Sequence, residues 1–224
     1  MIENTVSGFN PVNIILLGAL LALVPFFLTL VTAYIKVIVV TYLIRNALGV
    51  QQVPPTMVLT GLAMILSVYV MAPVGLETYE LLQAKNALSL DLTPAQILQT
   101  AAEVSEPLKQ FLIANTEPNI LKSLVNTAGR IWPAEIYQSI DSESFIYVVP
   151  SFVISELTKA FQIGFLLYLP FIAIDLIISN ILLAMGMMMV SPMTISLPFK
   201  LMLFVTLEGW LKLCQGLLYS YTYT

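Results

Sequence analysis

Long apolar runs occupy both ends of this chain, and a more polar stretch separates them. Apolar residues dominate residues 11–44 and 56–72 in the N-terminal part, and residues 145–184 and 198–218 in the C-terminal part. A helix that crosses a membrane needs about 20 mainly apolar residues, because the hydrocarbon core is about 30 Å thick. Lipid offers no partner for unpaired backbone polar groups, so such runs favour helices over open strands. The pattern therefore predicts an all-α protein built from long apolar helices.

Prolines and glycines predict where these helices bend or end. Pro25 should kink or restart the first helix, residues 45–55 form a polar connector, and Pro73 should end the second helix. Pro150 and Pro170 interrupt the long run in the C-terminal third and predict kinks there. The two C-terminal runs flank one short loop, so they predict a helical hairpin.

The stretch over residues 74–144 is acidic and amphipathic. It contains nine of the thirteen acidic residues, and its apolar positions recur at helical spacing. Thr93 and Pro94 resemble a helix cap followed by a proline at the first helical position. Few lysines and arginines lie here, which favours the non-cytoplasmic side of a membrane. The chain thus divides into N-terminal hydrophobic helices (1–73), an acidic helical extracytoplasmic insert (74–145) and a C-terminal hydrophobic hairpin (146–224).

Composition narrows the possible classes of protein. Hydrophobic residues make up 58% of the chain and charged residues 10%, with a mean hydropathy of +0.91. Soluble domains carry about 25% charged residues, so we infer an integral membrane protein. The chain has no histidine and only Cys214, which excludes an internal disulfide and a Cys/His metal cluster, and we expect no metal or cofactor. The net charge of −4 does not favour nucleic acid.

The loop over residues 183–192 has the sequence LAMGMMMVSP, with four methionines within five residues. Methionine is flexible and polarizable and fills irregular gaps, while glycine and proline interrupt a helix. From the residues alone, the loop is either an apolar hairpin turn or a deformable plug. The candidate plug residues are Met185, Met187, Met188 and Met189, and the candidate hinge residues are Gly186 and Pro192.

Six charged residues interrupt the apolar C-terminal third, where a charge at the bilayer centre costs at least ~2.5–3.5 kcal/mol. Spacings of i,i+3 and i,i+4 let two acid–base pairs meet on a helix face, and the hairpin should bring the third pair to similar heights. The pairs are Glu156 with Lys159, Glu208 with Lys212, and Asp175 with Lys200. Neutralisation inside a multi-subunit bundle, a proton or ion relay, and helices outside lipid are the three interpretations. Lys36 in the first apolar run likewise needs a partner or an aqueous surface.

Four long motifs, which occur in order along the chain, resemble the FliP/SctR family of type III secretion systems. They are RNALGVQQVPP (45–55), PSFVISELTKAFQIGF (150–165), LYLPFIAIDLIISNILLAMGMMMVSP (167–192) and ISLPFKLMLFVTLEGW (195–210). Ser151 stands where the family usually has alanine, and Glu208 where it usually has Asp or Asn. The N-terminus lacks the basic region of a signal peptide. In this respect the chain is more similar to the injectisome branch (YscR, SpaP) than to the flagellar branch.

The resemblance implies a core subunit of an export apparatus rather than an enzyme. Five copies would assemble with four SctS-like subunits and one SctT-like subunit into a ring-shaped or helical oligomer, with an SctU-like subunit on the cytoplasmic side. This assembly would be the entrance of the secretion channel in the bacterial inner membrane and would project to the periplasmic side. Further partners would be inner rod, needle or flagellar rod proteins, unfolded polypeptides in transit and membrane lipid.

The resemblance also implies roles for the unusual residues. Met187, Met188 and Met189 match a methionine-rich loop that lines the constriction as a gasket, with Met185 beside them, and the charged helices would be buried against neighbouring subunits.

Two other functions compete with export. A secondary transporter could use Glu156, Lys159 and Asp175 as coupling-ion or substrate residues, but transporters usually contain repeated halves and the halves of this chain do not match. An intramembrane enzyme is disfavoured because the sequence has no histidine and no nucleophile or HExxH motif.

Overall fold

The computed structural model describes residues 18, 22–23, 25–50, 52–85 and 100–223. Across these ranges the regular structure is helical and no strand occurs, so the predicted all-α fold is confirmed. The predicted helix start at Thr93 and Pro94 and most of the first apolar run before Pro25 lie outside the described residues.

In the N-terminal part, residues 25–30 are helical, and they precede the longer helices α1 (Tyr34–Leu48) and α2 (Thr56–Ala84). Gly49 ends α1 in the left-handed conformation, with φ of 77°, a position that glycine occupies without steric cost. The expected helix end at Pro73 is wrong, because α2 continues through it. Proline removes a single backbone donor, and a long apolar helix packed against neighbours tolerates that loss. The predicted boundary after residue 73 therefore falls inside one helix.

Besides the end of α2 and the helical residues 100–104, the described part of the insert contains the short helices α3 (Glu106–Asn115), α4 (Pro118–Ile131) and α5 (Ala134–Ser139). Each begins at or beside a proline, namely Pro107, Pro118 and Pro133. Proline suits the first helical positions because no backbone N–H is needed there. Both α3 and α4 pack against the long C-terminal helix, and α3 also contacts α2.

The C-terminal third forms a hairpin of α6 (Phe145–Ala184) with α7 (Pro192–Thr206) and α8 (Gly209–Tyr219). Helix α6 matches the apolar run that predicted it. The second arm begins at Pro192 rather than at Pro198, because Pro192 takes the first helical position and Pro198 is accommodated inside α7. The axes of α7 and α8 differ by 59° across a break at Leu207 and Glu208.

Close packing of α1 on α6 forms the main core. Val37, Val40 and Ile44 of α1 lie in one buried cluster with Ala160 of α6. A side chain at Gly164 would collide with Leu43, so glycine allows the two helices to approach.

A second buried cluster joins the insert to the rest of the chain. Phe111 and Leu112 of α3 pack with Val148 and Phe152 of α6 and with Tyr221 near the C-terminus. The insert and the hairpin therefore share a core.

Length and composition identify candidate membrane spans among the described helices. Helices α2 and α6 are long and apolar enough to cross a membrane, and a third span results if α7 and α8 count as one bent span. This agrees with the membrane class inferred from composition.

Candidate functional site

The methionine loop connects the two arms of the hairpin through a defined helix terminus. Gly186 has a φ of 73° and follows the last residues of α6. The Gly186 N–H donates to the Leu183 carbonyl at 3.0 Å, and the Met187 N–H donates to the Leu182 carbonyl at 2.9 Å. These two hydrogen bonds form a Schellman motif, which favours glycine at the left-handed position. Gly186 therefore reverses the chain, and Pro192 begins the next helix.

All four methionines of this loop are exposed in the single chain. The exposed fractions are 67% for Met185, 42% for Met187, 80% for Met188 and 101% for Met189. We call these four residues the methionine tip. An exposed apolar patch of this kind is typical of a surface that contacts another protein, a membrane or a ligand. The described chain therefore does not use the methionine tip as its own core.

Asp175 and Lys200 join the two arms of the hairpin below this tip. Lys200 Nζ lies 2.6 Å from Asp175 Oδ2 and also donates to the Ala47 carbonyl at 3.2 Å. The Ser196 hydroxyl donates to Asp175 Oδ1 at 2.6 Å. The expectation that the hairpin brings Asp175 and Lys200 to the same height is confirmed. Because Ala47 lies in α1, this ion pair fastens three helices together.

A second polar cluster surrounds Glu156 in the middle of the fold, and we call it the Glu156 cluster: Lys36, Glu156, Lys159 and Tyr221. Lys36 Nζ lies 3.3 Å from Glu156 Oε1, and both side chains are completely buried. Lys159 Nζ lies 3.8 Å from the same oxygen, as its i,i+3 spacing predicted, and donates to the Asn115 carbonyl at 2.6 Å. The Tyr221 hydroxyl donates to Glu156 Oε2 at 2.5 Å.

Sequence analysis found part of this cluster. The sequence marks Lys36 as a charge that needs a partner and pairs Glu156 with Lys159, but it does not connect Lys36 with Glu156, which lies 120 residues away. Tyr221 gave no signal, since it belongs to a short polar C-terminus. Burial, followed by the charge of Glu156, raises the pKa of Tyr221 above its usual value, so its hydroxyl stays protonated and acts as a donor.

Glu208 and Lys212 are arranged differently from the expected i,i+4 pair. Glu208 has a φ of 53° at the break between α7 and α8, so it does not share a helix face with Lys212. No ion pair joins the two side chains among those found in the described residues, and both are exposed. Their burial against neighbouring subunits stays a prediction.

The break between α7 and α8 depends on glycine. A side chain at Gly209 would collide with the ring of Phe204, which packs edge-on against Trp210 at 5.4 Å between centroids.

The described residues contain no group of three or more His, Cys, Asp or Glu side chains arranged to hold a metal ion.

Comparison with known proteins identifies the family. The family described as "FliP family" matches residues 16–217, which include the methionine tip, the Asp175–Lys200 pair and every member of the Glu156 cluster except Tyr221. The chain belongs to the FliP family. The match also spans the acidic insert, which the four motifs did not cover.

Relatives in this family are similar over nearly their whole length. "Yop proteins translocation protein R" of Yersinia pestis is 49% identical over 212 residues, which are 95% of this chain and 97% of the relative. "Harpin secretion protein HrcR" of Erwinia amylovora is 44% identical over 214 residues, covering 95% and 97%. "Virulence protein YscR" of Salmonella typhimurium is 44% identical over 201 residues, covering 90% and 92%. The predicted resemblance to the injectisome branch is thereby confirmed.

Proposed function

We propose that this chain is a core subunit of a type III secretion export apparatus and forms the entrance of its protein channel. The observation that carries the proposal is the exposed methionine tip at the end of a hairpin whose Lys200 is hydrogen-bonded to Ala47 of α1. The relatives named as translocation and secretion proteins support a role in a protein-secretion apparatus. The family and the apolar helices support a place in the bacterial inner membrane.

The methionine tip would seal the channel when several copies surround it. A constriction lined by apolar side chains excludes water, and this blocks ions without a rigid plug. Methionine side chains rotate about three bonds and conform to irregular partners. A ring of such side chains could therefore close around an unfolded polypeptide of any sequence. The left-handed Gly186 lets each loop turn tightly enough to approach its neighbours.

The family resemblance supplies the assembly that such a ring requires. We propose five copies of this chain with four SctS-like subunits and one SctT-like subunit, and an SctU-like subunit on the cytoplasmic side. The exposed apolar surface of α6 supports burial against such neighbours. This surface includes Phe161, Phe165, Leu166, Leu176 and Ile177, which are all more than half exposed.

Co-purification tests the proposed assembly. We expect a tagged chain to purify as one large complex when the SctS-like and SctT-like partners are co-expressed, because its apolar surfaces need those partners. Native gel electrophoresis and mass measurement in detergent report the size and composition. A chain that is stable alone as a small oligomer, and unaffected by the partners, would instead favour the transporter.

Cysteine labelling tests the position of the insert. We expect a cysteine at the exposed position Ser123, in a Cys214→Ser background, to react with an impermeant thiol reagent once only the outer membrane is permeabilised. The expected extracytoplasmic position rests on the acidity of the insert and on its small number of lysines and arginines. Detergent-solubilised complex is the control that shows whether assembly hides the site. Labelling from the cytoplasmic side alone would contradict the proposed topology.

A further inference from the structure

The described residues that follow α8 contact four other helices. We call residues 221–223 the C-terminal strap. Tyr221 is buried, and its ring stacks on Phe111 of α3 at 6.0 Å between centroids with an interplanar angle of 20°. The same ring lies 3.5 Å from Lys36 Nζ, a cation–π contact, while its hydroxyl donates to Glu156. Tyr221 therefore completes the Glu156 cluster.

The next two residues bind α3 again and one further helix, α2. The Thr222 N–H donates to Asn115 Oδ1 at 3.1 Å, and Asn115 Nδ2 donates to the Thr222 carbonyl at 3.0 Å. Asn115 is buried at the end of α3, so this reciprocal pair satisfies its side-chain amide. The Tyr223 hydroxyl donates to the Val70 carbonyl of α2. Three consecutive residues thus contact α1, α2, α3 and α6.

We propose that the C-terminal strap is a fastening device that closes over the buried Lys36–Glu156 pair and holds the acidic insert against the hairpin. A short segment outside a helix is ordered only where contacts offset the conformational entropy that ordering costs. Each of the three strap residues forms such a contact, either a hydrogen bond or an aromatic contact. The strap can close only after α1, α3 and α6 have packed, since its partners lie on all of them.

The strap also fixes the position of the second arm of the hairpin. Asp175 and Lys200 connect the arms below the methionine tip, while Tyr221 and Glu156 connect the end of the second arm to α6. Two fastened points prevent one arm from sliding along the other. The strap therefore links the acidic insert mechanically to the height of the methionine tip.

A disulfide cross-link tests whether the strap is closed in the protein. In a Cys214→Ser background, the pair Asn115→Cys and Thr222→Cys should form an intramolecular disulfide under mild oxidation, because the two residues contact each other. The control pair is Thr127→Cys with Thr222→Cys, since Thr127 is exposed on α4. Proteolysis between the two positions, followed by a non-reducing gel, detects the link. No link, or a link as frequent as in the control pair, would overturn the proposal.

Amide hydrogen exchange tests whether the strap holds the insert. A chain that stops after Ser220 should exchange the amides of α3 about tenfold faster than the full chain, because α3 loses the contacts with Tyr221 and Thr222. Tyr221→Phe, which removes only the hydroxyl donor, should show a smaller increase. Tyr219→Phe is the control, because Tyr219 is 83% exposed and lies outside the strap.

The outcome of this experiment is decided within a single chain, so it does not depend on the proposed export function. If the shortened chain does not accumulate, Thr222→Pro replaces it, since proline removes the N–H that donates to Asn115. Protection of α3 that is unchanged in these variants would overturn the proposal, even if the complex still assembled and secreted normally.

Discussion

Replacing Glu156 by leucine should destabilise the chain by ~3–5 kcal/mol, because it leaves the Lys36 ammonium buried without an anionic partner. Both side chains are completely buried, so water cannot compensate for the lost charge. Lys36→Met should also be destabilising, but less so, since Glu156 keeps Lys159, 3.8 Å away, as a cationic partner. The amount of assembled complex on a native gel is the measurement, together with the thermal unfolding midpoint of the detergent-solubilised complex.

The double variant Lys36→Met with Glu156→Leu should recover much of this loss. A buried ion pair replaced by apolar residues of similar volume is often neutral in stability, whereas a broken pair is costly. The Tyr221 hydroxyl would lose its acceptor on Glu156 but could still donate to the Ala33 carbonyl, which lies 3.2 Å away. Lys159 would keep the Asn115 carbonyl. Glu135→Gln, on the exposed face of α5, is the control for a change in charge alone.

The same variants separate a structural role from a relay. Single variants that assemble normally but lose proton-driven export would contradict the structural prediction and favour the relay. A double variant that is as damaged as either single variant would also contradict it, because the partnership between the two charges would then not be the source of the loss.

Replacing Met187, Met188 and Met189 together by alanine should leave the complex assembled but make it leak ions. The three side chains are exposed in the single chain, so their truncation removes little internal packing. In the proposed ring they line the constriction, and shorter side chains widen it and weaken the exclusion of water. We expect higher conductance of the purified complex in planar bilayers, with secretion at least partly retained.

Leucine at the same three positions is the matched control. Leucine keeps the apolar volume, so it should seal better than alanine, but it has fewer rotatable bonds and should adapt less well to different cargo. We therefore expect low conductance combined with reduced secretion. An alanine triple variant that assembles and has the same low conductance as the wild type would contradict the proposed sealing role. The loop would then be an ordinary hairpin turn.

The sequence by itself determined the features that depend on neighbouring residues. The length of an apolar run specifies a long helix, which is why α6 coincides with residues 145–184. Glycine and proline carry local backbone preferences, so Gly186 and Pro192 delimit the methionine loop as expected. The resemblance to the family could also be found from the sequence alone, because its motifs are contiguous stretches of sequence.

The tertiary structure decided whether a helix begins or ends where a single proline predicts it. Pro73 signals a helix end, yet α2 continues, and Pro198 signals a helix start, yet α7 begins earlier. In each case the loss of one backbone hydrogen bond competes with the packing of a whole apolar helix, and a single residue cannot reveal which is larger. The spacing of Glu208 and Lys212 failed for a related reason, because the left-handed backbone at Glu208 takes it off the helix face.

Only the tertiary structure decided which charges meet. Lys36 and Glu156 are 120 residues apart and Tyr221 and Glu156 are 65 apart, so no periodicity connects them. Asp175 and Lys200 were predictable as neighbours because a single loop joins their helices. The Glu156 cluster instead requires α1, α6 and the C-terminal strap to converge. That convergence follows from the packing of apolar surfaces, which is non-directional. The residues around each charged position therefore do not indicate which other charge it will contact.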